Sequence, residues 1–463
     1  MSARKRVAIV GGGITGAVAA ERLAMQFEVH LFDQGRRGPG GRASHRAVQD
    51  GVVLPDDPPI PAGALEFDHG CQFFRADDPR MQQLVDNWMA KGWCAQWNGK
   101  FGALGSDVAD FFGLPSNSAP VFVGTGGMHT LPRSILAECG ATVHRGVRVA
   151  SMERVAGGEQ DGMWTLYGVA GEAAFHDSSE AAAAAAPRRP LTAEPFHAVL
   201  LTDISSSFGD WHRASAGVPS SFSAAVRDRV RIPLFSAMVA FDRPLKLPYD
   251  GITFGNSPLW FAARSASKGF GPAVQRSTTG SSADGAAAAG CYECWTLIST
   301  PRFAVDEIQS TPMQDAVTGA FKPQEDSYLN TTPAPALLKA FMDAVTSLRP
   351  DPSPEFPTAV YLQGQRWGSA LPAPAGIGGR DGFGRGAEAT TEMGVTYDMS
   401  TPPLVYERPD PMESGRSAED YLADAPLGLY YAGDFCSGRA PGFEAAALSG
   451  NDAAECLQRT LLQ

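Results

Sequence analysis

Glycines near the start of the chain have a spacing that lets backbone approach a phosphate group. The run Gly11-Gly12-Gly13-Ile14-Thr15-Gly16 fits G-x-G-x-x-G and lies between a strand-like run at 7–10 and a helix-like segment at 15–24. Gly11 would allow a tight turn, Gly13 a close approach to a diphosphate, and Gly16 close packing of helix on strand. The N–H groups at the helix N-terminus would attract the diphosphate. The spacing predicts a dinucleotide site on a βαβ unit; a glycine-rich turn of an ordinary α/β protein is the alternative. The predicted cofactor contacts in this run are Gly11, Gly13, Ile14, Thr15 and Gly16.

Charged residues follow the second strand-like run, at 29–32. Asp33 ends that run and would accept hydrogen bonds from an adenosine ribose, with Gln34 beside it. Gly41 and Arg42 belong to a Gly-Gly-Arg turn that can double back over the phosphates. Arg42 would then bind the diphosphate through two parallel hydrogen bonds. This turn favours FAD over NAD, and a solvated basic turn is the alternative.

The C-terminal end has a second strand–turn–helix segment. Gly433 and Asp434 follow a buried strand-like run at 428–432, and Asp434 would accept a ribityl hydroxyl or contact phosphate through water. A helix with apolar residues at helical spacing follows at 443–461. Its first turn would direct N–H groups at a flavin ring, where negative charge develops on reduction. A surface strand–turn–helix is the alternative. The predicted contacts in this turn are Phe443, Glu444, Ala445 and Ala446.

The composition of the 463-residue chain excludes several functional classes. Its 38 basic and 50 acidic residues give a net charge of −12, which argues against a nucleic-acid surface. The sequence has no run of 18 apolar residues, so we expect no transmembrane helix. Arg4-Lys5-Arg6 leads directly into a strand-like run, without the apolar core of a secretory signal peptide. Seven cysteines are few, and the eight histidines lack metal-site spacing. We therefore expect a reduced, cytoplasmic protein without a metal site.

Segments along nearly the whole chain resemble the FAD-dependent amine oxidase superfamily and, within it, renalase-like proteins. The two flavin-binding ends are specific for the superfamily, whereas the middle segments indicate the renalase-like group. The segments that carry the resemblance are 35–42 (GRRGPGGR), 67–74 (FDHGCQFF), 126–128 (GGM), 260–262 with Ser267-Lys268, 365–367 before 370–372, 432–435 and 443–450.

The resemblance implies an α/β fold with two lobes, a Rossmann-type FAD domain and a mixed-sheet substrate domain. It also implies that Val149 lies by the adenine through its backbone and that Gln72 lies near the flavin ring. The FAD domain is expected to be discontinuous, over 1–75, 125–210 and 396–463. The substrate domain is expected over 76–124 and 211–395. Stretches rich in Gly, Ala and Ser are interpreted as disordered insertions, near 171–190, 268–290 and 372–395.

The expected reaction follows from the resemblance and from residues that the sequence lacks. Amine oxidases of this fold use an active-site lysine and an aromatic cage, yet 231–242 contains no lysine and Pro441-Gly442 stands at a cage position. A renalase-like reaction needs no general base, because aromatisation drives hydride transfer from a 2- or 6-dihydronicotinamide nucleotide to flavin N5. O₂ then accepts the two electrons, and the products are NAD(P)⁺ and H₂O₂.

Three residues are candidates for orienting the substrate ring, together with Gln72. Trp260 and Trp367 would stack on a planar nicotinamide, and Arg366 would bind a phosphate or a carboxamide. Core packing or a surface salt bridge is the alternative for each of them. His69 is either a proton carrier or a packed histidine. The lone C-x-x-C at 291–294 is interpreted as structural thiols.

Two other functions stay open at this stage. One is a different FAD-dependent oxidoreductase of this fold, acting on an amine or a hydrophobic ring. A desaturase of that kind would carry a long apolar segment for docking to a membrane, which the sequence lacks. The other is a non-catalytic, FAD-binding regulatory protein.

Overall fold

The computed structural model describes most of the chain in separate segments. The second insertion was predicted to begin as disordered chain at 268. Lys268 and Phe270 are instead buried in the folded protein, so that prediction is wrong for 268–270. The rest of the three predicted insertions lies almost entirely outside the described residues. The described residues are 4–49, 60, 62–114, 120–170, 189–203, 206, 211, 214–219, 231–270, 292–311, 326–348, 356–372, 388–390, 396–398 and 420–463.

Strands and helices alternate at both ends of the chain, as the sequence predicted. The strands are β1 (Arg6–Val10), β2 (Glu28–Asp33), β3 (His45–Ala47), β4 (Glu66–Asp68), β5 (Phe74–Arg75), β6 (Cys94–Gln96), β7 (Phe101–Leu104), β8 (Val121–Gly124), β9 (Thr142–Arg145), β10 (Val147–Arg154), β11 (Trp164–Ala170), β12 (Ala198–Leu201), β13 (Arg231–Phe241), β14 (Gly251–Phe254), β15 (Leu259–Arg264), β16 (Glu293–Ser299), β17 (Ala359–Pro372), β18 (Glu388–Thr390), β19 (Thr396–Asp398), β20 (Tyr421–Asp424) and β21 (Leu429–Ala432). The helices are α1 (Ile14–Leu23), α2 (Pro79–Ala90), α3 (Thr130–Glu138), α4 (Pro301–Ser310), α5 (Asp326–Thr331), α6 (Pro333–Val345) and α7 (Phe443–Leu462).

A six-stranded sheet joins strands from the beginning, the middle and the end of the chain, in the order β20-β21-β12-β1-β2-β9. β1 pairs in parallel with β2 and β12, and β12 pairs in parallel with β21. Every residue of β1 and β12 is buried, as expected for parallel strands covered on both faces. This sheet confirms the Rossmann-type α/β fold. The domain boundaries assigned from the sequence stay a prediction.

Helices α1 and α7 pack closely against each other on this sheet. A Cβ added to Gly450 of α7 would lie closer to Thr15 O of α1 than the 3.0 Å that real Cβ atoms keep. Because β1 and β21 run in the same direction, the helices that follow them begin at the same edge of the sheet. The N-termini of α1 and α7 therefore lie at one edge, although they come from opposite ends of the chain.

A second six-stranded sheet has the order β17-β13-β16-β15-β14-β7 and is antiparallel except for the β7–β14 pair. On one face, Phe235 and Phe241 pack with Leu337 and Phe341 of α6. On the other face, Leu234 belongs to the core shared with the first sheet. Successive side chains of a strand point to opposite faces, so every second residue faces the space between the sheets.

A cleft of about 1430 Å³ extends from the glycine loop after β1 to the second sheet. A site for one small ligand typically measures about 300–1,000 Å³, so this cleft has room for a dinucleotide and a second ligand. Among the described helices, none is both long enough and apolar enough to cross a membrane.

Candidate active site

The glycine loop between β1 and α1 forms one end of the cleft and has no room for side chains. Gly11 has a φ of +109°, and a Cβ there would lie 2.5 Å from Thr202 Oγ1. A Cβ at Gly16 would approach Gly11 O within the 3.0 Å limit, so α1 starts directly against the turn. This geometry places the first amide groups of α1 at the cleft, where a diphosphate would bind. The neighbouring residues that line the cleft are Gly12, Gly13, Ile14 and Thr15.

Asp33 lies at the end of β2 beside the glycine loop, and the exposed Gln34 follows it. The Asp33 carboxylate accepts the N–H of Gly12 at 3.0 Å and the N–H of Gly35 at 2.9 Å. Burial raises the pKa of this carboxyl, although the two amide groups oppose the shift. Asp33 and Gln34 both line the cleft. The carboxylate is thus fixed where a ribose binds in dinucleotide sites.

Arg42 and Asp434 connect the two ends of the chain at the cleft. Arg42 donates to both carboxylate oxygens of Asp434, with Nη1 2.8 Å from Oδ2, and to Ala370 O at 2.9 Å. Burial opposes the charge of Arg42, yet the Asp434 carboxylate raises the pKa of the guanidinium. Both residues line the cleft together with Gly41. Arg42 thus joins the two ends of the chain through Asp434 while its side chain stays 35% exposed at the cleft, and the diphosphate contact stays a prediction.

The first turn of α7 lies at the cleft, where Phe443 and Ala446 line it and Ala445 is buried in the core. The Glu444 carboxylate accepts the N–H groups of residues 77 and 78, at 2.6 and 3.1 Å. Gly433 does not line the cleft, and its N–H donates to Ser449 Oγ at 2.8 Å. The Glu444 carboxylate thus fixes the first turn of α7 to the start of α2, while the residue also lines the cleft, so its predicted backbone contact with the cofactor stays a prediction. Gly433 lies outside the cleft lining, which differs from the cofactor contact predicted for it.

Val149 lines the cleft in β10, close to a shift in the pairing with β11 between Val149 and Ser151. Its carbonyl oxygen accepts a hydrogen bond from Trp211 Nε1 at 3.3 Å. The position agrees with the resemblance, and the contact with adenine stays a prediction.

The other end of the cleft is a chamber with apolar walls. Trp260 meets Phe112 and Phe261 edge-on in these walls, with ring centroids 5.4 and 5.2 Å apart. Flat, apolar walls favour a planar aromatic ligand, which gains from stacking and edge contacts. The residues that form the chamber are Phe73, Phe112, Leu234, Trp260, Phe261 and Ile298.

Trp367 faces this cleft from β17. It pairs with Leu234 across the strands, and its ring stacks on His69 with centroids 5.5 Å apart. The indole Nε1 donates to His69 O at 2.9 Å. The hydrogen bond and the stacking fix the orientation of the ring at the wall of the cleft.

Arg366 points to the opposite face of β17 and does not line the cleft. It pairs with Phe235, and its guanidinium lies over that ring, 5.8 Å from the centroid. Burial lowers the pKa of Arg366 to about 10, with Tyr328 opposing the shift. The prediction that Arg366 binds substrate is wrong, because its guanidinium lies over Phe235, on the side of the sheet that packs against α6, and not in the cleft.

Replacing Trp367 and Arg366 one at a time tests which of the two side chains of β17 faces the cleft. Trp367→Ala is expected to lower kcat/KM about tenfold through lost ring contacts while the flavin content stays unchanged. Arg366→Leu, the matched variant on the other face, is expected to change kcat/KM less than about twofold. Steady-state kinetics and the flavin-to-protein absorbance ratio measure both. A colourless Trp367→Ala protein would assign a structural role to this tryptophan instead.

Gln72 lies at the cleft on the loop after β4 and is held by hydrogen bonds at both ends of its amide. Its Nε2 donates to Asp68 O and to Gly70 O, and its Oε1 accepts from Lys268 Nζ at 2.8 Å. The residue is 2% exposed. Because both ends of the side-chain amide are hydrogen-bonded, the orientation of Gln72 at the cleft is fixed, and its contact with the flavin ring stays a prediction.

Lys268 is a buried lysine behind Gln72 that the sequence analysis did not identify as a site residue. It ends a short 3-10 turn after β15, and its Nζ lies 3.6 Å from Asp68 Oδ2. Burial lowers the pKa of Lys268, and the Asp68 carboxylate opposes the shift. The absence of lysine from 231–242 therefore does not mean that the site lacks a lysine. Lys268 does not itself line the cleft and acts on it through Gln72.

Asp68 is the centre of this buried polar cluster and is 0% exposed. Its Oδ1 accepts from His45 Nδ1 at 3.0 Å and from Met128 N at 2.9 Å. His45 stacks on His129, with ring centroids 4.7 Å apart, and His129 lines the cleft. The cluster joins four segments of the chain beneath the cleft, at 45, 68–72, 128–129 and 268. Nothing in the spacing of its residues predicted it.

The described residues contain no group of His, Cys, Asp and Glu side chains that could hold a metal ion. Cys294 is a buried thiol in β16, and burial raises its pKa to about 12. Cys291, the other cysteine of the C-x-x-C, lies outside the described residues. The burial of Cys294 agrees with a structural thiol.

Comparisons with known proteins agree with this loop and this fold. Residues 9–88 match the family model of the NAD(P)-binding Rossmann-like domain. The structure is similar to cyclohexylamine oxidase from Brevibacterium oxydans IH-35A, with a TM-score of 0.54, 11% identity, and coverage of 99% of this chain and 100% of that chain. It is also similar to wild-type putrescine oxidase bound to putrescine, with a TM-score of 0.52, 10% identity, and coverage of 98% and 99%. The chain therefore has the two-lobed fold of these oxidases over nearly its whole length.

Proposed function

We propose that the chain is an FAD-dependent oxidoreductase, and specifically a renalase-like oxidase of isomeric 2- or 6-dihydronicotinamide nucleotides. Bound FAD supplies a hydride acceptor at N5 and returns two electrons to O₂. One dihydronicotinamide, one proton and one O₂ give one NAD(P)⁺ and one H₂O₂.

The residues at the cleft fit FAD. A Cβ on Gly13 would meet only Gly41 Cα, at 4.0 Å, so the backbone at Gly13 is open to a close approach by a diphosphate, and Asp33 offers an acceptor for ribose hydroxyls. Asp434 and the N-terminus of α7 stand where the flavin half would extend along the same cleft. The fold neighbours are named cyclohexylamine oxidase and putrescine oxidase, which supports redox chemistry at this site.

The observation that carries the choice of substrate is the apolar chamber beside Gln72. Its walls are aromatic and aliphatic, so they orient a flat ring without exchanging a proton with it. The amide of Gln72 is fully hydrogen-bonded, and Lys268 is held behind it. A reaction driven by aromatisation of the substrate ring requires this arrangement, because orientation is the main task of the protein.

A second candidate is the oxidation of an amine. It is favoured by Lys268, a buried lysine one side chain away from the cleft, and by the names of the two fold neighbours. Pro441 and Gly442 line the cleft where the resemblance places a cage aromatic, which favours the dihydronicotinamide reaction over this one.

Anaerobic mixing with borohydride-reduced NAD⁺ tests the proposal, because this preparation contains the 2-, 4- and 6-dihydro isomers. Rapid bleaching of the flavin by the 2- and 6-isomers, with purified 4-dihydro NADH as the slow control, is expected. Bleaching by an amine alone would replace this function with the second candidate. A flavoprotein that no donor bleaches, or a colourless protein that takes up no FAD, would contradict the proposal.

A further inference from the structure

Several arginines line the cleft, among them Arg36 and Arg37 in the loop after β2 and Arg46 in β3. Arg75, at the end of β5, lines it as well and donates to the carbonyl oxygen of the chamber residue Phe112 at 2.8 Å. β3 and the described residues of β17 contribute no carboxylate to the lining there. The potential in this part of the cleft is therefore positive, which favours anionic ligands. The carboxylates that line the cleft belong to other segments, and they are Asp33, Asp77, Asp203, Asp434 and Glu444.

His69 lies at the cleft, and one of its ring nitrogens has no hydrogen-bond partner among the described residues. Its Nδ1 is buried and makes no hydrogen bond within the described part of the chain, and the residue is 7% exposed. Burial, together with the charges of Arg46, Arg37 and His45, lowers the pKa of His69 to about 3. The imidazole is therefore neutral at pH 7, and the His69 residue contributes an uncharged polar ring to the lining of the cleft.

Arg46 and Arg37 both line the cleft, and their charges act on the same two residues of its lining, His69 and Tyr361. Burial raises the pKa of Tyr361, and the positive charges of Arg46 and Arg37 oppose that rise. The same two charges help to lower the pKa of His69. Arg46 also donates to Gln365 Oε1 at 3.4 Å. The lining also includes neutral hydrogen-bonding groups, because Tyr361 and Gln363 line the cleft and bond to each other at 2.5 Å.

We infer that Arg46, Arg37 and His69 form an anion subsite that binds the phosphate of a nucleotide substrate. The inference rests on the proposed function, in which the nicotinamide ring occupies the apolar chamber. Trp367 lines the cleft and stacks on His69, so it links the wall of the ring site to the anion subsite. Guanidinium groups bind phosphate oxygens through paired, charge-assisted hydrogen bonds, which lysines do not reproduce.

The subsite determines which substrates the chamber accepts. A dihydronicotinamide mononucleotide carries both the ring and the phosphate, whereas the corresponding riboside lacks the phosphate. A diamine carries positive charge into a positive field and is rejected by repulsion. The enzyme therefore selects phosphate-bearing dihydronicotinamides over neutral ones.

The test compares the 2- and 6-dihydro isomers of nicotinamide mononucleotide and nicotinamide riboside. Arg46→Gln is expected to lower kcat/KM for the mononucleotide about 10- to 100-fold, as for loss of a hydrogen bond to a charged group, and to change the riboside less than about twofold. Arg37→Gln, at an exposed loop position, is expected to act in the same direction and keeps the test valid if Arg46→Gln does not fold. Arg243→Gln, an exposed arginine remote from the cleft, is the control that changes neither substrate.

Binding of the oxidised products, followed by the visible flavin spectrum, separates this inference from the proposed function. The protein could bind nicotinamide mononucleotide through Arg46 and yet oxidise no dihydronicotinamide. That result would support the subsite and contradict the proposed function. Equal kcat/KM for mononucleotide and riboside in the unmodified enzyme would overturn the subsite and leave the function intact. An equal loss of kcat/KM for the mononucleotide and the riboside in Arg46→Gln would also overturn the subsite. Arg46 would then act on folding or on the position of the nicotinamide ring, and not on the phosphate.

Discussion

Gly16→Ala is expected to yield a protein that retains less than about a tenth of its FAD. The added Cβ would approach Gly11 O more closely than any real Cβ approaches an oxygen, and it would lie 3.4 Å from Ile9 Cγ2. Gly11 O belongs to the tight turn after β1 and Ile9 to the core of the first sheet, so neither can give way and α1 must move away from the loop. Overpacking of this kind costs about 1–3 kcal/mol of stability, and the displaced amide groups no longer meet the diphosphate. The flavin-to-protein absorbance ratio measures the loss.

Gly438→Ala is the matched control for this experiment. Gly438 lies in the loop between Asp434 and α7, and a Cβ there meets nothing within 4 Å. Full flavin content in Gly438→Ala and an almost colourless Gly16→Ala are expected together. Full flavin content in Gly16→Ala would show that α1 is not the phosphate-binding helix.

The secondary structure of the dinucleotide half was predictable because its signals are local. The helix expected over 15–24 is Ile14–Leu23, and the strand expected over 29–32 is Glu28–Asp33. The last helix, expected over 443–461, is Phe443–Leu462. Each of these signals involves only a few neighbouring residues. They are runs of β-branched residues in strands, apolar residues at helical spacing, and glycines at the turns.

The orientation of Arg366 and Trp367 required knowledge of the neighbouring strand. Alternation shows that only one of the two can face the cleft, and it does not show which one. The pairing of Leu234 with Trp367 and of Phe235 with Arg366 settles this, because Phe235 packs under the helices. Register between distant strands is a tertiary property, so the error arose at that level.

The buried cluster around Asp68 was not predictable for the same reason. Lys268 and Gln72 are 196 positions apart in the chain and meet only through the packing of the two lobes. The position of Arg46 beside His69 and Tyr361 likewise depends on the pairing of β3 with β4. Short motifs identify cofactor loops well because backbone makes those contacts, whereas the substrate side consists of side chains collected from distant segments.

Lys268→Met is expected to lower kcat about 10- to 100-fold and to destabilise the protein by about 3–5 kcal/mol. The variant removes the donor to Gln72 Oε1, so the amide beside the chamber loses its fixed orientation, and small displacements at a reacting centre cost about this much in rate. It also leaves the fully buried Asp68 carboxylate without its lysine, and breaking a buried ion pair costs about this much in stability. Stopped-flow reduction of the flavin and urea unfolding measure the two effects.

A double variant separates the two roles of Lys268. Asp68→Asn added to Lys268→Met removes the uncompensated charge, so most of the lost stability is expected to return. The turnover is not expected to return, because Gln72 still lacks the ammonium donor. Lys339→Met is the control, since Lys339 is 77% exposed at its side chain and pairs only with Asp343 on the surface. If the double variant recovered both stability and turnover, the lysine would act only by balancing the charge of Asp68, and Gln72 would not need it for positioning.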